Sequence, residues 1–330
     1  MGGSISGLST ASSIKQKNKS IKVVVHEKHK LIGYNHEGRR CGEAHSIESE
    51  WDKWIPKGKS VFNNILSAEV EIGYFKRTVS RDPGTAFILN RPEFICQLAK
   101  DAENYGVEIQ TNDKIKSISD LDGDFIIDAS GCPSSIKREL GFDKGIKGMT
   151  LQHSIEDSNY FIPNKIKVIF DGKYGYYWIF PRNPEKREVN VGFGTCGIFD
   201  YNMKELLEDF KKKYNIQGKT NYVVGGLVPL GLQRPFMYKN ILFVGDAGVG
   251  TFPFSGQGIY RALLSGDIAG KCIAKGITKK YPYLIYQAFI KWQVFGLLFY
   301  HINNRFRKIN PELVLSSLRN FGRFVEVVHI

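Results

Sequence analysis

Cysteine is scarce in this chain, and acidic charge is outweighed by basic. Five cysteines (Cys41, Cys96, Cys132, Cys196, Cys272) stand in 330 residues. None lies at CxxC spacing from another and their number is odd. That excludes a disulfide framework and a cysteine-type zinc site, and it fits a reducing cytoplasm. The seven histidines do not gather either; His26 and His29 are close but lack acid or thiol partners at ligand spacing, so no metal centre is expected. No apolar run reaches the roughly 18 residues of a membrane span. The nearest, Tyr283 to Ile302, is interrupted by Gln287, Lys291, Gln293 and His301. Such a helix packs on a core or lies on a membrane surface rather than crossing it. The N-terminus is Gly/Ser-rich rather than apolar, which predicts no secretory leader. Acids number 33 against 46 lysines and arginines, a formal charge of +13. This balance suits an anionic partner such as an anionic membrane surface or a phosphorylated small molecule. The basic residues are scattered rather than blocked, so nucleic acid is not expected. A hydrophobic content of 42% and a mean hydropathy of −0.25 describe a globular chain of one large or two moderate domains.

What is present centres on Asn240 to Cys272. A buried-type strand, Ile241 to Val244, ends at Gly245-Asp246. A Gly- and Pro-containing loop leads to Gly258, and a helix starts near Gln257. Backbone N–H groups and the positive end of that helix favour an anion or an electron-rich ring edge. Asp246 can accept hydrogen bonds from hydroxyls, and Gly256 and Gly258 let backbone come close to a flat ligand. The stretch resembles the second flavin-contacting motif of FAD-dependent oxidoreductases with the p-hydroxybenzoate-hydroxylase-like fold.

The chain opens with Gly2-Gly3-Ser4-Ile5-Ser6-Gly7, a variant dinucleotide fingerprint with Ser4 at the second glycine position. A helix over Leu8 to Lys17, a strand over Ile21 to Val25 and then Glu27 follow; an acid about 20 residues after the fingerprint is where a dinucleotide fold holds a ribose. Only Met1 precedes the fingerprint, so the expected sheet lacks its first strand and the phosphate turn lacks its anchor, unless the start lies upstream. Strands are expected at Glu69–Phe75, Thr85–Leu89, Val107–Gln110, Ile115–Ile118 and Phe125–Asp128, with a helix from Pro92 to Tyr105. Asp128 to Arg138, DASGCPSSIKR, resembles the D-G-type motif of flavin monooxygenases and their relatives. Lys137 stands at the usual arginine position, with Arg138 next to it as a substitute. From Gly148 to Cys196 aromatic and β-branched strands predict an antiparallel second lobe, with an amphipathic helix at Tyr201–Lys213 and a strand at Thr220–Leu230.

The fold class expected is therefore α/β: a discontinuous Rossmann-like FAD-binding lobe (1–60, 86–146, 236–275), an inserted antiparallel-sheet lobe (61–85, 147–235) and C-terminal helices (276–330). Four motifs stand together: GGSISG with Glu27, RRCGEA (Arg39 to Ala44), YYWIFP followed by NVGFG, and VGDAG with SGQGI. The set resembles the geranylgeranyl reductase family, over Gly2 to about Cys272, and within it the archaeal digeranylgeranylglycerophospholipid reductases. The resemblance implies non-covalent FAD and reduction of isolated isoprenoid double bonds in lipids. Carried over by position, FAD contacts fall on Gly2, Gly7, Glu27, Cys41, Gly42, Ala44, Arg91, Ile115, Asp246, Gly258 and Ile259. Tyr177, Trp178, Phe180 and Pro181 would line the isoprenoid pocket.

Hydride alone does not add readily to an electron-rich alkene, so a proton donor must act with it. Cys41 is the candidate beside the reacting carbons, with a relayed water as the alternative; Glu43 and His45 could feed protons. NAD(P)H, a deazaflavin or ferredoxin would supply electrons, and peripheral contact with an anionic membrane would bring the lipid. Two other readings use the same motifs: a flavin monooxygenase or halogenase, and a non-catalytic prenyl-lipid-binding protein on a degenerate flavin fold.

Overall fold

The structure is a computed structural model that describes residues 1–34, 42–47 and 53–325, with side chains described through 320. Its elements in chain order are α1 (Ile5–Lys17), β1 (Val24–His26), β2 (Ala44–Ser46), β3 (Val61–Asn64), β4 (Ser67–Ile72), β5 (Phe75–Ser80), β6 (Ala86–Leu89), α2 (Arg91–Asn104), β7 (Glu108–Gln110), β8 (Ile126–Asp128) and α3 (Ser135–Glu139). The second half holds β9 (Lys147–Glu156), β10 (Lys165–Asp171), β11 (Gly175–Pro181), β12 (Val189–Gly194), α4 (Met203–Lys213), β13 (Lys219–Pro229), β14 (Met237–Tyr238), β15 (Ile241–Phe243), α5 (Ile259–Ala274), α6 (Tyr281–Phe306) and α7 (Pro311–Val325). The long strands β9 to β13 follow the β-branched and aromatic runs that predict them.

Four sheets result. The largest has seven strands in the order β13-β9-β12-β11-β10-β4-β5. β1 pairs with β7 in parallel, β8 pairs with β15 in parallel, and β6 sits between β2 and β3. β3 thus joins β6, while β4 and β5 join the large sheet. The single strand expected at Glu69–Phe75 is a hairpin, because Gly73 turns the chain with φ +63°. The strand expected at Ile115–Ile118 is absent. Ser117 and Asp120 cap each other's backbone there and start a short 3-10 turn, so local side-chain bonding overrides a weak strand pattern.

The N-terminal residues correct one expectation. The Met1 amine donates to the Ile127 carbonyl at 2.9 Å, the Ala129 N–H donates to the Met1 carbonyl at 2.9 Å, and the Gly2 N–H donates to the His26 carbonyl at 2.8 Å. Met1 and Gly2 therefore tie β1 to β8, and the phosphate turn is anchored. A Cβ on Gly7 would stand 2.0 Å from the Gly2 carbonyl oxygen, so Gly7 lets the turn lie on its own helix.

α1 is built from small residues and is buried from Ile5 through Ile14. It crosses α5 where Gly266 and Gly270 face it. A Cβ on Gly266 would lie 2.0 Å from Ser9 Oγ, and one on Gly270 would lie 2.6 Å from Ser13 Cβ. Hydrogen at these Cα positions allows near-backbone contact, and Asp267 closes the crossing by accepting from Ser13 and pairing with Lys53 and Lys271. No helix among the described residues is long and apolar enough to cross a membrane.

Candidate functional site

A cavity of about 570 Å³ lies between the seven-stranded sheet and the starts of α1 and α5. One wall is a face of the seven-stranded sheet. Strand registers bring Tyr176 opposite Gly194, Trp178 opposite Gly192 and Phe180 opposite Asn190. On the neighbouring pairs, Gln152 stands opposite Gly192 and Thr150 opposite Gly194. The glycines of NVGFG make room for the rings: a Cβ on Gly192 would fall 2.1 Å from Trp178 Cζ2. The indole is fixed by donation from its Nε1 to Gln152 Oε1 at 3.0 Å, and the Tyr176 hydroxyl donates to the Ser255 carbonyl at 2.8 Å.

This alternation revises the expected lipid-facing residues. Trp178 and Phe180 line the cavity together with Tyr176, which the sequence reading left out. Tyr177 points through the opposite face and stacks on Phe210 of α4, ring centroids 4.2 Å apart and planes 6° apart. Pro181 is buried outside the cavity lining, and its carbonyl accepts from Asn63 Nδ2 at 3.1 Å. Successive side chains of a strand point to opposite faces, so Tyr177 cannot share a pocket with both Tyr176 and Trp178.

The other wall is polar. The starts of two helices line it, Ser4–Ser6 at α1 and Gly258–Ile259 at α5, with Asp246 and Arg91 beside them. Burial raises the Asp246 carboxyl above its ordinary value, against the opposing pull of Arg91 and Arg261. Arg261 is buried and holds the turn after Asp246: its Nε donates to the Gly250 carbonyl at 3.0 Å and an Nη to the Val249 carbonyl at 2.7 Å. Burial lowers it to about 9, so it remains charged at neutral pH. Sequence reasoning missed it, although a cation in the first turn of a helix opposes the macrodipole and is itself a signal.

Gly42 and Ala44 line the cavity; a Cβ on Gly42 would lie 3.2 Å from Phe180 Cε2. Cys41 lies outside the described residues. Glu43, expected to feed protons, instead makes a buried ion pair. Its Oε2 accepts from Arg182 Nε at 2.6 Å and from Asn190 Nδ2 at 3.1 Å, and Arg182 also donates to Glu188 Oε2 at 2.6 Å. Glu43 sits at φ 64°, the left-handed region, which costs a non-glycine residue energy and persists only where surroundings fix it. His45 is buried, and desolvation lowers it to about 4. It is neutral at pH 7 and no ready proton source. Arg182, directly after the FP pair, latches Glu43 to the strand that carries the aromatic wall.

Glu27 and Ile115 are not in the cavity lining. Glu27 is buried beneath the N-terminal turn, where Oε2 accepts from the Gly3 N–H at 2.8 Å and Oε1 accepts from the His29 N–H at 2.9 Å. Lys137 is fully buried. It donates to the Gln233 carbonyl and lies 4.6 Å over the Phe243 ring, while Arg138 is exposed and does not substitute for it. Cys132 lines the cavity, its thiol pushed up to about 12 by burial and by Asp246.

The polar wall fits a dinucleotide such as FAD. Two helix starts and a guanidinium suit a pyrophosphate, and Asp246 suits hydroxyls. A side chain on Gly258 would fill the cradle between them, its Cβ 3.0 Å from Thr251 Cγ2 and 3.6 Å from Asp246 Oδ1.

Comparison with known proteins agrees. No family model matches the chain. It is 30% identical over 220 residues to a digeranylgeranylglycerophospholipid reductase of Methanocella arvoryzae, covering 58% of this chain and 55% of that one. It is 26% identical over 324 residues to the protein of that name from Sulfolobus acidocaldarius, covering 83% and 68%. The chain thus spans about half the length of the first curated relatives it matches. Among solved structures, a geranylgeranyl bacteriochlorophyll reductase-like protein of Thermoplasma acidophilum superposes with a TM-score of 0.79 at 20% identity, covering 96% of this chain and 88% of that one. The flavin-dependent halogenase CmlS superposes with a TM-score of 0.66 at 18% identity, covering 92% and 64%. The fold is thus that of flavin-dependent enzymes. Its sequence relatives among curated proteins carry the name digeranylgeranylglycerophospholipid reductase, at 25–30% identity.

Proposed function

We propose that this chain binds FAD non-covalently along the polar wall and reduces isolated isoprenoid double bonds of lipids held against the aromatic wall. The observation that carries the reading is the pairing in one cavity of an apolar ring surface with an anion- and hydroxyl-binding surface. That division suits a prenyl chain facing a dinucleotide. The bound flavin, once reduced, supplies hydride.

The chain's own residues do the rest. Arg91 and the starts of α1 and α5 would hold the phosphates, and Asp246 would accept hydrogen bonds from hydroxyls. Gly42 and Gly258 permit close approach to the ring system. Trp178, pinned by Gln152, and Phe180, packed on Gly42, exclude water and orient the alkene. The proton must reach the carbon that does not take hydride. Glu43 is bound to Arg182 and His45 stays neutral; the proposed donor is Cys41 or a relayed water. Electrons come from NAD(P)H, a deazaflavin or ferredoxin.

The test starts with the visible spectrum of the purified chain before and after FAD is added, with binding titrated in parallel for Asp246→Ala. It continues with anaerobic reduction in the presence of a geranylgeranylated glycerolipid, read as hydrogens gained by mass spectrometry with each donor in turn. Flavin bands followed by a gain of two hydrogens per double bond support the proposal. A chain that never binds flavin, or one that forms hydroxylated or halogenated product only in air, overturns it. Trp178→Ala should lose lipid reduction by at least about tenfold while flavin binding is kept.

A further inference from the structure

We propose that α6 is a docking face for an anionic lipid surface. The helix has two unlike sides. One packs on the segment that forms the cavity's rim: a Cβ on Gly296 would stand 2.2 Å from Pro253 Cγ, Trp292 meets Phe252 edge-on at 5.1 Å, and Gln293 Oε1 accepts from the Leu232 N–H at 2.7 Å. Thr251 and Pro253 of that segment line the cavity itself. The opposite side carries Tyr283, Val294 and Leu298 with 66%, 55% and 46% of their surface exposed, and Ile290 half-buried among them. At the helical repeat these positions fall on one stripe, about 22 Å long at 1.5 Å per residue.

Charge decides what covers the stripe. No Asp or Glu occurs between Asp267 and Glu312. Exposed Lys279 and Lys280 stand before the helix, Lys291 beside the stripe, and Arg305 and Lys308 at its far end. Arg234, also exposed, lies 5.1 Å over the Tyr286 ring at the margin. A second copy of this face would bring like charges together. An anionic bilayer surface accepts the cations at its headgroups and the apolar stripe between its acyl chains. An aromatic residue flanked by lysines suits that boundary, because an amphipathic ring tolerates both sides of it. The position beside the rim would bring the membrane within one helix thickness of the cavity, without a spanning segment.

The experiment is flotation of the whole chain with vesicles of phosphatidylcholine alone and of phosphatidylcholine mixed with phosphatidylglycerol, at low and high salt, with light scattering on the protein by itself. The chain is expected to float with the mixed vesicles only and less at high salt. Val294→Asp with Leu298→Asp should abolish flotation while circular dichroism and Tm stay unchanged. Lys291→Gln alone should lower the partition about fivefold. The proposal is overturned if the chain stays at the bottom with anionic vesicles at low salt, or if both variants float as the parent does. It is equally overturned if the double variant converts a dimer to a monomer with no change in flotation. Flotation needs no turnover, so failure here leaves the reductase reading standing, and failure of turnover leaves this surface standing.

Discussion

Three buried cations in this protein meet three different fates. Arg182 stands between the carboxylates of Glu43 and Glu188. Burial opposes its charge, but the two acids outweigh burial and hold it above the ordinary value. Arg261 has two backbone carbonyls and a more remote acid, and burial brings it down to about 9. Lys137 has one carbonyl and a ring face, and burial brings it to about 8, against the pull of Asp128. Burial is common to all three; the number of formal negative charges in contact separates them. A buried cation is held charged by its counter-ions, and hydrogen bonds to neutral oxygens replace only part of what water supplied.

Substitution to methionine turns this ranking into measurements. Arg182→Met should be the most damaging, at about 3–5 kcal/mol in urea denaturation, because two carboxylates lose their partner inside the protein. Arg261→Met should cost about 2 kcal/mol by the same measurement, since it strands the Gly250 and Val249 carbonyls, and it should weaken FAD binding because the Asp246 turn loses its brace. Glu43→Gln keeps a hydrogen-bonding oxygen for Arg182 and should cost about 1.5 kcal/mol. A loss as large as that of Arg182→Met would mean that Glu43, rather than the arginine, anchors the latch. Lys137→Met should change stability by less than about 1 kcal/mol at pH 7.

Its signature is in alkali. The folded-state pKa of Lys137 lies below the ordinary lysine value, so from about pH 8 upward the unfolded chain binds more protons than the folded one. Stability then rises with pH through that window, by up to about 3 kcal/mol from this group, and the fully protonated state below it gains nothing. The difference between parent and Lys137→Met, measured from pH 7 to pH 10, should show that rise. A flat difference would mean the ammonium is better solvated than its burial implies.

Much of the fold was legible because the strands are long and rich in β-branched and aromatic residues, and because the turns after β8 and β15 carry a glycine within three residues of an acid. The hairpin at Gly73 and the 3-10 turn at Ser117 were not, since each depends on one residue's local bonding rather than on a repeating pattern. In the cavity lining, Asp246 and Gly258 were legible as local features, an acid at a strand end and a helix start, whereas Gly42, Ala44, Arg91 and Ile259 were expected only through the family resemblance. The aromatic wall was half read. β11 is buried on both faces, so its sequence shows no alternation of apolar with polar, and nothing in YYWIFP itself says whether Tyr176 or Tyr177 faces the cavity. The answer comes from α4, which covers the far side and lies more than twenty residues away. The Arg182–Glu43 pair joins positions 139 residues apart and was beyond any local pattern.

The crossing of α1 and α5 has a consequence for how this protein can diversify. The two helices touch through Gly266 and Gly270 so closely that even one added methyl group collides, and their starts line the polar wall of the cavity. That half of the cavity is closed to gradual change. The aromatic wall is not: Trp178 and Phe180 stand on β11, Gln152 on β9 and Val224 on β13 of one sheet, and their side chains can vary with the strand backbones in place. New substrates should therefore be reached, by natural drift or in the laboratory, through replacements on the sheet, with the helix crossing inherited unchanged.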